Sequence, residues 1–180
     1  APIRQPAQCY RALDASSSYT GNGDDAVHLS ESRWHVNALI TGDHRWQHLG
    51  VPVTVSMSGS MLADGAATLL LEGGLDLTFE GDTFGPRDFA TIDADGGTER
   101  ISIHGGSLHT DDGALVGVDF ERAVLVEMGR GSLEDVTLTD SIPVYQQHAV
   151  QADRLVDVDI VDCRGIGLRL EPSFHHMDGV

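Results

Sequence analysis

Lysine is missing from this chain of 180 residues: all 11 basic side chains are arginine. They stand against 28 acidic side chains, 20 of them aspartate, and the formal net charge at pH 7 is −17. A balance this acidic argues against nucleic acid as a partner, because neutralising phosphates needs clustered Lys and Arg. It disfavours an anionic membrane surface for the same reason. Dense carboxylates hold water and cations, and molar salt screens their mutual repulsion. The composition therefore reads as that of an extreme halophile or of a virus of one. The alternative is a GC-rich genome with an accidental lysine deficit.

Other signals are scarce too. Cys9 and Cys163 are the only cysteines, too far apart in sequence for a disulfide framework and without zinc spacing. Cys163 is expected as a small buried residue and Cys9 as a free thiol. No apolar run reaches transmembrane length. The opening APIRQPAQCY has no apolar h-region, so no signal peptide is expected there. Helix signals are poor. The longest candidate is Glu31 to Leu39, and glycine, 21 residues in all, interrupts most other runs. Such glycine usage suits many tight corners.

What remains is alternation. From Thr98 to Glu171 short triplets recur with apolar residues at every second position. Ile101-Ser-Ile103, Val136-Thr-Leu138 and Val158-Asp-Ile160 form one series. Val116-Gly-Val118, Ala149-Val150 and Ile166-Gly-Leu168 are read as a second, with connections shortening from 15 to 12 to eight residues. Alternation means strands with one buried face. Recurrence every twenty to thirty-five residues means stacked coils. Leu75 and Leu77 precede Ile101 and Ile103 by 26 residues and extend the first series backwards.

The organisation expected from this pattern has three parts. Residues 1–50 form an N-terminal arm and small cap, 51–171 the coil stack, and 172–180 a tail that begins near Pro172. Within the first part, Ala1 to Asp25 reads as a polar arm, and a short helix over Arg33 to Ile40 is expected to close the open end of the stack. Between Phe79 and Ile101 the segment GDTFGPRDFATIDADGG reads as a projecting loop carrying Phe84 and Phe89.

The phrases TIDADGG (91–97), RISIHGGSL (100–108), SLEDVTLTDS (132–141) and LVDVDIVDCRGIGL (155–168) resemble right-handed parallel β-helix proteins of the pectin-lyase-like superfamily. The likeness spans Leu69 to Leu170 and is closest in character to virus tailspike and fibre β-helices. It implies an all-β fold: a short right-handed parallel β-helix of three to four coils, with an N-terminal arm and small cap, assembled as a homotrimer. The superfamily also contains pectate lyases and polygalacturonases. The polygalacturonase Gly-His-Gly and Arg-x-Lys motifs are absent from this chain, the second necessarily so without lysine.

Candidate chemistry is thin. Asp111 and Asp112, near His104 and His109, are an adjacent carboxylate pair, but Asp-Gly is also a favoured turn. Asp157, Asp159 and Asp162 read either as a weak cation site or as the solvated face of an acidic coil; Asp93 and Asp95 read the same way. His44 and His48 have the i, i+4 spacing of a helical metal pair, yet Gly42 and Asp43 favour a loop; His175 and His176 lie in the tail. No catalytic, metal or cofactor residue is assigned, and no cofactor is expected. Trp34, Trp46, Phe84, Phe89 and Tyr145 are the candidates for glycan or subunit contacts. The expected role is a structural or host-recognition subunit of a halophilic virus particle, such as a spike, turret, fibre or decoration protein. Its expected partners are copies of itself, other virion proteins and a host surface glycan, and its expected location is the virion. The alternatives are an enzyme acting on acidic glycans and an extracellular or cell-surface carbohydrate-binding module of a halophile.

Overall fold

A strand inside a sheet satisfies its backbone N–H and C=O groups by pairing along both edges. In this chain the flanking strands are the preceding and following turns of the same coil. The structure, a computed structural model, describes residues 3–21, 25–30, 38–56, 60–86, 90–94, 99–108, 113–125, 131–143, 154–164 and 176–178.

The described residues hold 17 strands in one parallel network. The order begins with β1 (Ile3–Pro6), a 3-10 helix (Ala7–Ala12), β2 (Val27–Ser30), β3 (Ala38–Thr41) and β4 (His44–Trp46). The next turn is β5 (Val53–Ser56), β6 (Ser60–Asp64) and β7 (Thr68–Leu71). Then come β8 (Asp76–Pro86), β9 (Thr91–Ala94), β10 (Ile101–Leu108) and β11 (Ala114–Val116). The last turns are β12 (Val118–Glu121), β13 (Val124–Leu125), β14 (Ser132–Thr139), β15 (Ile142–Pro143), β16 (Arg154–Val161) and β17 (His176–Asp178). This is a parallel β-helix of at least five turns, longer than the three to four coils expected.

Three faces run along it. On the first, Ile3, Val27, Val53, Leu77, Ile103, Phe120, Leu138 and Ile160 stack in register. On the second, Ala38, Met61, Phe84, Leu108, Leu125 and Pro143 share one rung position. On the third, His44, Leu69, Ile92, Leu115, Leu133, Leu155 and Met177 do so. Most inward members of the first and third rows are fully buried. Burying one such side chain contributes about 1.5–3 kcal/mol, so stability is spread over the ladder rather than lodged in one rung.

The first expected series is therefore a true stack, while Val116-Gly-Val118, the described member of the second, is divided between two faces. Val118 belongs to the first face, beside Ile101, and Val116 to the third, beside Glu134. Gly117 between them turns the corner at φ 70°. A Cβ there would lie 2.8 Å from the Ala94 Cβ, so glycine is required by both space and conformation. One and two turns on, the same corner is made by Asp135 (φ 51°) and Asp157 (φ 49°). The next corner is made by Arg122, Asp140 and Asp162, also left-handed. Four of the six described non-glycine residues at positive φ are aspartate. Aspartate tolerates this region because its short polar side chain can hydrogen-bond locally. Part of the acidic surplus thus resides in corners. Ala149, Val150, Ile166 and Leu168 lie outside the described residues.

The N-terminal part also departs from expectation. The ladder starts at Ile3, not Val51, because β1 and β2 already pair in the first face. The helix expected over 33–40 is replaced at 38–40 by β3, paired with β6; residues 31–37 lie outside the described set. The end is covered instead by the segment expected to be an arm. Its 3-10 helix inserts Tyr10, 1% exposed, against Trp46, 0% exposed, with ring centroids 4.7 Å apart. The Tyr10 hydroxyl donates to the Gln47 carbonyl at 2.8 Å, and Tyr19 donates to the Asp14 carbonyl at 2.9 Å. This cap packs against β1, β2, β3 and β4.

Candidate functional site

The first face offers the densest array of chemistry-bearing side chains among the described residues. Residues between the ladder positions point outward there. Register aligns Asp76, Ser102, Asp119, Thr137 and Asp159 in one outward row. The adjacent row holds Thr54, Thr78, His104, Glu121 and Thr139. Strands are about 4.8 Å apart, so carboxylates two rungs apart repel unless a cation intervenes.

Arg100, at the entry to β10, supplies that cation. Its Nε donates to Asp119 Oδ2 at 2.7 Å, and its Nη2 lies 2.7 Å from Asp119 Oδ1. Its Nη1 donates to Asp135 Oδ1 at 2.9 Å and Oδ2 at 3.0 Å, while Nη2 also donates to the Asp135 carbonyl at 2.9 Å. One guanidinium thus ties three successive turns. The bond to Asp119, joined by that to Asp135 and opposed by partial burial, raises the arginine above its ordinary pKa. All three nitrogens are engaged, which is the fork geometry lysine cannot reproduce.

His104 repeats the arrangement one position along. Its Nδ1 lies 3.0 Å from Glu121 Oε2 and its Nε2 3.4 Å from Asp76 Oδ1. On the third face Arg154 bonds Glu134 at 2.7 Å, and Arg45 pairs with Glu72 at 3.6 Å. Each of these side chains lies against carboxylates of its own chain. The array clamps neighbouring coils and offers no open cationic subsite.

The expected site residues are dispersed. Trp46 and Phe84, proposed as outer contacts, are 0% and 2% exposed and have no ring surface to offer a ligand. Phe84 packs on Phe79 at 4.9 Å and Phe120 at 6.3 Å, because β8 carries it into the second face and not into a projecting loop. Trp34, Phe89, Tyr145, Asp95, His109, Asp111, Asp112 and His175 lie outside the described residues. Asp157 and Asp162 occupy successive corners, with Asp159 on the face between them, so they do not converge. Among the described residues no group of three His, Cys, Asp or Glu side chains is placed to hold a metal. His44 is buried in β4 and His48 is exposed beyond it, so they do not form a helical pair. Cys9 is exposed and Cys163 half-buried, both free thiols; Cys163 Sγ lies 3.4 Å from the Leu138 carbonyl.

Arg100 and His104 received no role from sequence reasoning on their own account. Arg100 is 19 and 35 residues from its partners, a spacing that acquires meaning only once the coil register is known. Comparison of the chain with protein-family models, with curated proteins and with solved structures finds no match. Among the described residues no helix is long and apolar enough to cross a membrane.

Proposed function

We propose that the chain is a non-enzymatic structural or host-recognition subunit of a halophilic virus particle, built as a rigid β-helical shaft and assembled as a homotrimer. The observation that carries this reading is the pairing of the outward Arg100 and Arg154 with carboxylates of neighbouring coils. Such an outer face resists unwinding and remains strongly solvated in molar salt. It does not attract an acidic polymer, since Asp76, Asp159 and the corner aspartates would repel a uronate chain. That weighs against the alternative of an enzyme acting on acidic glycans. The lysine-free composition and net charge of −17 support the halophilic setting.

Sedimentation in 2 M salt tests the assembly, and probing gradient-purified particles with an antibody to the chain tests the location. The expected results are a trimer mass and co-sedimentation with particles. A stable monomer across the micromolar range, together with absence from particles, would overturn the reading. Turnover of a uronic-acid polymer by the purified chain would replace it with the enzymatic one.

A further inference from the structure

His44 is the one histidine buried among the described residues, 9% exposed, and no metal or catalytic role accounts for its burial. Its place in the third row is held by leucine or isoleucine on the next five turns, from Leu69 to Leu155. A leucine would pack there without a polar cost, so the imidazole introduces a titratable group beneath the cap. What faces it is Arg11, carried on the 3-10 helix, whose Nη1 lies 3.5 Å from Nε2. An arginine nitrogen can only donate, so this contact needs an unprotonated Nε2.

We propose that His44 and Arg11 form an acid-sensitive latch, through which protonation of His44 releases the N-terminal cap, residues 7–21, from the first coil.

Protonation turns an acceptor into a donor and places two cations 3.5 Å apart at the seam between cap and coil. Burial first, and the Arg11 charge second, hold His44 below its usual pKa; the Thr41 backbone and Asp43 oppose them. The other groups around the seam offset the new charge only in part. Asp43 accepts the Thr68 backbone N–H at 3.1 Å, and Glu72 is bonded to the His48 N–H at 2.7 Å and paired with Arg45. Tyr10, raised above its ordinary range chiefly by burial, stays neutral and bonded to Gln47. Leu69 of β7 is apolar, Arg4 of β1 is a further cation, and His48 is exposed. With a folded pKa below the unfolded one, the His44 contribution is complete above the usual histidine pKa of about 6.5. It is lost as pH falls from there toward the depressed value. Release would bare the upper edges of β3 and β4, which the cap now covers.

Hydrogen-exchange protection factors of the full chain at pH 7.5 and pH 5, in 2 M salt, read this directly. Residues 7–21 and β4 should lose protection about tenfold or more in acid, while strands from β5 onward keep theirs. Trp46 emission in a Trp34→Phe background should shift red with the same midpoint, since Tyr10 leaves its ring. His44→Gln keeps an acceptor without the titration and should abolish both changes. Arg11→Gln removes the second cation and should shrink them. Unchanged protection of 7–21 in the native chain, or an undiminished acid response in His44→Gln, would overturn the proposal. If His44→Gln does not fold, Arg11→Gln decides: a smaller response supports the latch and an equal one refutes it.

Discussion

Replacing Arg100 by Gln removes the cation that ties three coils, and the size of the loss follows from its exposure. Arg100 is 42% exposed, Asp119 30% and Asp135 61%, so neither pair sits in a dry interior. Exposed pairs contribute about 0.2–1 kcal/mol each. A chelated guanidinium with both pairs belongs at the upper end of that range. The loss also leaves Asp119 and Asp135 facing each other without a counter-charge. Together these set the expected destabilisation at about 1–2 kcal/mol in 0.1 M salt, a Tm drop of about 2–8 °C for a chain of this size. At 2 M salt the Debye length falls below about 3 Å, the Asp119–Asp135 repulsion is screened, and the penalty should fall by about half. Arg100→Lys separates the contributions: it restores the charge but not the fork, and should recover only part of the loss. Thermal and denaturant unfolding of the three proteins at both salt concentrations is the assay. A penalty under about 0.3 kcal/mol at low salt, or one that grows with salt, would refute the clamp.

Phe84→Ala should destabilise by about 3–5 kcal/mol, the range for a buried aromatic, as measured by equilibrium unfolding; a near-neutral result would return Phe84 to the surface. Gly117→Ala should cost at least about 1–2 kcal/mol from the left-handed backbone alone, plus the clash with Ala94. Asp157→Gly at the equivalent corner should be nearly neutral, and equal losses at the two positions would contradict the corner alignment. For the native chain, Tm should rise between 0.1 M and 2 M salt as carboxylate repulsion is screened; a flat profile would remove the halophilic argument.

Much of the fold was legible in the one-dimensional pattern. Alternation at Ile101-Ser-Ile103, Val136-Thr-Leu138 and Val158-Asp-Ile160 specifies one buried face, and its recurrence specifies stacking in parallel. The register found for these strands agrees. Corners were harder, because glycine in Val116-Gly117-Val118 looks like a strand interior when only apolar spacing is read. The left-handed residue adds one outward position, so the inward residues beside it are three apart, Leu133 and Val136 or Leu155 and Val158; so small a break in apolar spacing does not mark Asp135 and Asp157 as corners. The cap was misplaced for a related reason. The polar stretch 7–21 lacks apolar periodicity, yet Tyr10, buried against Trp46 and bonded to the Gln47 carbonyl, seats it on the first coil.

Of the surface chemistry, the sequence alone determined the totals: a lysine-free, carboxylate-rich chain with −17 net charge. Composition carries no distances. Which carboxylates are tied, and by which cations, depends on coil lengths that bring residues 100, 119 and 135 together. The same holds for Trp46 and Phe84: aromatic identity alone does not say whether a ring faces inward. A one-residue change of register would put either ring in solvent, and only the tertiary stacking of successive turns decided that both are core.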